Sequence, residues 1–177
     1  MKWRLFLGLF WVMALEGTAQ KFVAEKSVIT FFSDALLEDI AATNNKAVSI
    51  FNKQTGEVAF SVPVSQFQFE KKLMQQHFNE KYMESEKYPN ATFSGVLINY
   101  DAAASGTQNV KAKGKLTIHG VTREVEIDGT AEVGDRPVLK AKFPVKLIDY
   151  KVEIPQLVFQ NIAETVDVSI DITYKPQ

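Results

Sequence analysis

Two histidines, His77 and His119, are the only imidazoles in the 177-residue chain, and there is no cysteine. Disulfides, thiolate metal sites, a cysteine nucleophile and a lipid-modified cysteine anchor are thereby excluded. Neither histidine has a second one three or four residues away, so the spacing that lets one element grip zinc is missing. Neither lies in a haem-ligating signature. The chain also lacks a nucleophile-elbow serine, a phosphate-cradling glycine loop and a dinucleotide fingerprint. His119 stands beside Gly120 between two alternating stretches, where a turn or strand-end role is expected. His77 lies between the apolar and polar faces of a helical stretch. The remaining chemistry-bearing groups are Arg123 and many carboxylates, most of them alternating with apolar residues as a solvated strand face would. No catalytic residue, metal or cofactor is expected.

These side chains are positioned by the stretch Val110 to Val133, which alternates on both sides of a short polar break. Period-2 alternation marks paired strands with one buried face. On the first arm Val110, Ala112, Gly114, Leu116 and Ile118 share a face, opposite Lys111, Lys113 and Lys115. On the second, Val125, Ile127, Gly129, Ala131 and Val133 share a face, opposite Glu124, Glu126, Asp128 and Glu132. A hairpin with a loop of even length brings the two apolar faces together and sets lysines against carboxylates. With Gly120-Val121 as the loop, or His119 to Thr122 as a longer one, Leu116 opposes Val125, Gly114 opposes Ile127 and Ala112 opposes Gly129. The same parity puts Arg123 on the apolar face at the end of the hairpin. Ala112, Gly114, Gly129 and Ala131 are too small to fill a core. Such positions either relieve crowding in a curved sheet or line a hollow interior.

Further strands are expected over Val28–Phe32, Leu36–Ala42, Ala47–Phe51, Val58–Val64, Ala91–Asn99, Val138–Leu147 and Thr165–Tyr174. The turn residues Thr43-Asn44-Asn45 and Gln54-Thr55-Gly56 separate them. Between Phe69 and Tyr88 the period changes: Met74, Phe78 and Tyr82 fall four apart, which predicts one amphipathic helix stopped by Pro89 and lying as a lid or plug against a sheet. Asp149 to Ala163 reads as an irregular crossing. There is no repeat, low-complexity tract or linker. Eight or nine half-buried strands and one inserted helix predict an all-β, antiparallel sandwich or barrel.

The formal net charge of −1 speaks against a nucleic-acid partner. At the N-terminus, Lys2 and Arg4 precede an apolar run from Leu5 to Leu15 and the small residues Gly17, Thr18 and Ala19. This order describes a secretory signal peptide over residues 1–20, and the run falls short of the roughly 20 residues of a membrane span. Residues 21–177 are then expected to be one exported domain, periplasmic or secreted, with no stable membrane insertion.

The segment Gly114-Lys115-Leu116-Thr117-Ile118-His119-Gly120-Val121-Thr122-Arg123-Glu124-Val125 resembles the signature of the YceI-like family of exported bacterial lipid-binding proteins. Lys87-Tyr88-Pro89-Asn90-Ala91-Thr92-Phe93 is similar to that family's passage from helix to strand, and Phe143-Pro144-Val145 and Tyr150 through Pro155 to its C-terminal part. The resemblance implies an eight-stranded antiparallel, lipocalin-like barrel around the tail of a polyisoprenoid or related long-chain lipid. It supplies no catalytic residue. Within that barrel the interior positions expected to meet the ligand are Ala112, Gly114, Leu116, Ile127, Gly129, Ala131, Phe143, Val168 and Ile170, with Arg123 as a head-group contact or a solvated strand end. The expected activity is non-enzymatic carriage or scavenging of the lipid. The alternative is an interaction or structural barrel with a filled core and no ligand. A homodimer is compatible with either.

Overall fold

The computed structural model describes residues 21–34, 39–154 and 163–177. The expected signal peptide and parts of the expected strand at Leu36 and of the crossing after Asp149 lie outside the described residues. Among the described residues ten strands form a single sheet: β1 Lys21–Ser33, β2 Ile40–Asn44, β3 Val48–Asn52, β4 Glu57–Pro63, β5 Gln68–Phe69, β6 Asn90–Ile98, β7 Gly106–Ile118, β8 Val121–Val133, β9 Val138–Lys146 and β10 Thr165–Pro176. Their order is β10-β9-β8-β7-β6-β4-β3-β1-β2-β5, and β10 pairs back onto β1 along nearly its whole length. All ladders are antiparallel.

β2 and β3 share one position in the wall. β1 pairs with β3 over Lys21–Val23 and with β2 over Ile29–Ser33. The break between them is held by Asn44, fully buried, whose Nδ2 donates to the Pro63 carbonyl at 2.8 Å and whose Oδ1 accepts from the Lys46 N–H at 2.8 Å. The expected turn at Thr43-Asn44-Asn45 is thus a kink within one barrel strand. With β5 only a two-residue addition to β2, the closed wall has eight strands, and closure removes the unpaired edges that an open sheet must protect.

The two ends of the barrel differ. At the floor, Phe22, Phe51, Ile172 and Tyr174 are almost fully buried. The Phe51 ring lies 5.6 Å from Tyr174 and 5.8 Å from Tyr100. Ser49 Oγ is 2.7 Å from the Tyr174 hydroxyl and also donates to the Ala59 carbonyl at 2.9 Å. Burial pushes the Tyr174 phenol far above its ordinary value, so it stays neutral. The need to partner that hydroxyl sets the orientation of β3. Ser49 points inward, while Val48 and Ile50 stand outside at 63% and 52% exposure.

The β7–β8 hairpin has the expected parity in a different register. Leu116 faces Arg123, Gly114 faces Val125, Ala112 faces Ile127 and Val110 faces Gly129, one residue along each arm from the pairing inferred from sequence. The loop is His119-Gly120, with φ +50° and +73°. Two-residue loops that match strand twist need positive φ at both positions, and glycine supplies the second without cost. Outside, Lys111 reaches Asp128 at 2.9 Å and Glu126 at 3.4 Å.

Gly114 also differs from expectation. It pairs with Gly95 of β6, and a Cβ on Gly114 would sit 2.3 Å from the Ser94 carbonyl oxygen and 2.6 Å from the Gly95 Cα. The small residue lets two strands approach closely where the wall bends, rather than leaving space inside. Gly114→Ala is therefore expected to destabilise the fold by roughly 1–3 kcal/mol, in line with overpacked sites, and to show this as a lower urea midpoint at unchanged m-value. Gly134→Ala, where a Cβ meets nothing within 4 Å, should change stability by less than about 0.5 kcal/mol. Equal midpoints for the two variants would refute this assignment.

Candidate functional site: an apolar cavity under a helical lid

Above the aromatic floor the barrel encloses a cavity of about 340 Å³, near the lower end of the roughly 300–1,000 Å³ typical of small-molecule sites. Its walls come from the inward faces of β1, β4 and β6–β10, among them Ile29, Phe60, Phe93, Leu97, Val110 and Leu139. Ala112, Leu116, Ile127, Gly129, Phe143, Val168 and Ile170, inferred from the alternation, lie in this lining. Gly114 and Ala131 do not. Gly114 is taken up by the close approach to β6, and Ala131 is buried in the core opposite Gln108 and Leu139.

The mouth is covered by α1, Lys72–His77, which runs on as a π turn over Phe78–Tyr82. The helix ends well before Pro89, because Glu84 takes a left-handed φ of +42° and turns the chain. Met74, Phe78 and Tyr82, the apolar face read from their spacing, all line the cavity. Phe78 is the pivot. Its ring lies 5.5 Å from Phe31, 5.7 Å from Phe67 and 5.0 Å from Phe69. Aromatic pairs in such arrangements contribute about 0.5–1.5 kcal/mol each beyond burial. Neither α1 nor the π turn contains a fully buried residue, and Leu73 is largely exposed. The lid is thus held chiefly by the ring contacts of Phe78.

Within the lining, polar groups are few and mostly engaged elsewhere. The Ser33 hydroxyl accepts the Ala163 N–H at 2.9 Å. Lys140 contributes its inner part only, since its ammonium pairs with Asp171 at 2.9 Å on the outer face. Burial pushes the Tyr82 phenol above its ordinary value. The half-buried His77 lies in the lining at the lid. Among the described residues no group of three or more His, Cys, Asp or Glu is placed to hold a metal ion. No described helix is long and apolar enough to cross a membrane.

Arg123 is placed at the rim and outside the lining. Its Nη1 donates to the Asp149 carbonyl at 3.3 Å and lies 3.7 Å from the Asp149 carboxylate, tying β8 to the 3₁₀ turn Leu147–Tyr150. His119 occupies the expected turn, but its side chain is only 11% exposed and bonds two other segments. The lid-facing phenylalanines Phe31, Phe67 and Phe69 were not singled out from sequence. Phe67 and Phe69 follow Pro63 in a short stretch without enough alternation to reveal a face, and their convergence on Phe78 is tertiary.

Similarities to known proteins agree with this geometry. A polyisoprenoid-binding domain from Saccharophagus degradans implicated in plant cell wall breakdown superposes with a TM-score of 0.75 at 16% identity, covering 88% of this chain and 98% of that one. BcnA of Burkholderia cenocepacia superposes with a TM-score of 0.69 at 19% identity, covering 83% and 95%. The Campylobacter jejuni YceI protein gives 0.59 at 16%, covering 75% and 80%. At these identities the likeness establishes the fold. A search of curated protein sequences finds no match. The YceI-like domain profile matches residues 20–174, nearly the whole chain, and the protein belongs to the YceI-like domain family.

Proposed function

We propose that the domain binds a long apolar chain of the isoprenoid type inside its barrel and acts as a carrier or scavenger without turning it over. The observation that carries this reading is the closed wall around a cavity with an apolar lining, a filled floor and a lid of aromatic residues at one end. The binding function in the name of the Saccharophagus degradans domain, which shares the fold, supports the choice of ligand class.

Burial alone is a sufficient driving force. Each CH₂ removed from water contributes about 0.8 kcal/mol, so some twenty carbons give roughly 16 kcal/mol against association costs of about 4–15 kcal/mol. An ion pair in the cavity is not required, and a charged interior would carry a desolvation cost of its own. Within the cavity the reading assigns ligand contact to Ala112, Leu116, Ile127, Gly129, Phe143, Val168 and Ile170. We further propose that residues 1–20 direct export and that binding takes place in the periplasm or outside the cell.

Solvent extraction of the purified protein followed by mass spectrometry should yield a long-chain lipid. A protein that yields none, and takes none up from lipid vesicles, would be a filled barrel and would overturn the proposal. Two variants locate the site. Ala112→Phe projects a ring into the cavity and should reduce lipid occupancy at least severalfold with the fold retained by circular dichroism. Phe78→Ala removes three ring contacts from the lid and should speed lipid release by roughly tenfold or more, taking about 0.5–1.5 kcal/mol for each contact. Unchanged occupancy in the first and unchanged release in the second would place the ligand elsewhere.

A further inference from the structure

Three segments meet at one corner of the mouth: the chain leaving the π turn, the tip of the β7–β8 hairpin, and the end of the 3₁₀ turn Leu147–Tyr150. Each contributes a non-glycine residue with left-handed backbone, Glu84 at φ +42°, His119 at +50° and Lys151 at +56°. Such residues are uncommon and persist where the surroundings over-determine them. Here the segments determine one another through the His119 ring. Its Nε2 lies 3.0 Å from Glu84 Oε2 and its Nδ1 3.2 Å from the Tyr150 carbonyl oxygen. The Tyr88 ring packs edge-on at 4.5 Å, and a Cβ on Gly120 would come within 2.4 Å of that ring. Met83, Ile118, Leu147 and Val152, near neighbours in sequence of these residues, line the cavity.

Both partners of the imidazole are hydrogen-bond acceptors. A neutral imidazole carries one N–H and can satisfy one of them, whereas the imidazolium donates to both. The other ionisable groups around the ring are Glu84, Lys87 and Tyr88 from the segment after the π turn. From the 3₁₀ turn come Tyr150, Asp149 and Lys151, and from β8 comes Arg123. Lys87 lies 4.0 Å from the Glu84 carboxylate and Arg123 3.7 Å from that of Asp149.

We propose that His119 is a positioning residue of the mouth, a clasp whose two ring nitrogens pin the lid's exit and the 3₁₀ turn to the hairpin tip. Its consequence for ligand release rests on the lipid-binding reading above. The clasp itself does not.

The test is amide hydrogen exchange of Ser85, Lys87 and Tyr88, whose N–H groups bond to the Asn79 and Glu84 carbonyls. Exchange is expressed as protection relative to the Tyr174 amide, which bonds to the Pro137 carbonyl at the floor. His119→Asn tolerates the left-handed backbone but is too short to reach both partners, and should lower protection of the three amides about three- to tenfold, on the order of one lost hydrogen bond. Glu84→Ala should lower the same amides, and the double variant should lose no more than the larger single loss, because both substitutions remove one contact. Unchanged protection in His119→Asn, or additive losses in the double variant, would overturn the proposal. In parallel, release of a pyrene-labelled long-chain alcohol should accelerate in His119→Asn. A probe that never binds would count against the lipid-binding reading while the exchange data still decide the clasp.

Discussion

The structure depends on the return of β10 onto β1. That ladder, from Phe22–Pro176 to Phe32–Asp167, turns an open sheet into a closed wall and defines an inside. A barrel of eight strands has an interior that side chains can just fill or that can hold one small ligand. This chain does both, at different heights. Tyr174, near the end of β10, brings a large ring to the floor, and Ser49 turns inward to partner its hydroxyl. Higher up, Ala112 and Ala141 replace bulk along β7 and β9, Gly129 lets β8 approach β9 where a Cβ would lie 2.5 Å from the Lys140 carbonyl oxygen, and the cavity opens between Phe60, Phe93 and Phe143. Closure, a solid floor and a hollow upper half follow from one chain path.

Two kinds of contact then govern the mouth. The Phe78 cluster is apolar and insensitive to pH, and it holds the lid over β1 and β5. The His119 contacts are polar and hold the opposite corner, where the lid's exit meets the hairpin and the 3₁₀ turn. A lid fastened by one greasy and one polar attachment can be loosened at one corner without being lost.

Much of this was legible because alternation reports on a half-buried strand directly. The apolar faces of β7 and β8 could be read residue by residue, and the four-residue spacing of Met74, Phe78 and Tyr82 identified the lid's inner face. What escaped depended on partners distant in sequence. Gly114 looked like missing bulk until Gly95 was placed beside it. The hairpin register moved by one residue on each arm because His119, and not Val121, takes the left-handed position beside Gly120. The first half of β1 was missed because a bulge between Ala24 and Lys26 interrupts its alternation. His119 could be read as a turn residue from Gly120 alone. Its bonds to Glu84 and Tyr150 join residues separated by 35 and 31 positions, which no local pattern shows.

The most direct test of the central claim, that the upper barrel buries a long apolar chain, is calorimetric titration of lipid-stripped protein with an isoprenoid alcohol at several temperatures. Burial of apolar surface gives a negative heat-capacity change whether the binding enthalpy is favourable or not. The account predicts saturable binding of one alcohol per chain with a clearly negative heat-capacity change, reduced in Ala112→Phe. Absence of binding by the stripped protein, or binding with a heat-capacity change near zero, would contradict it.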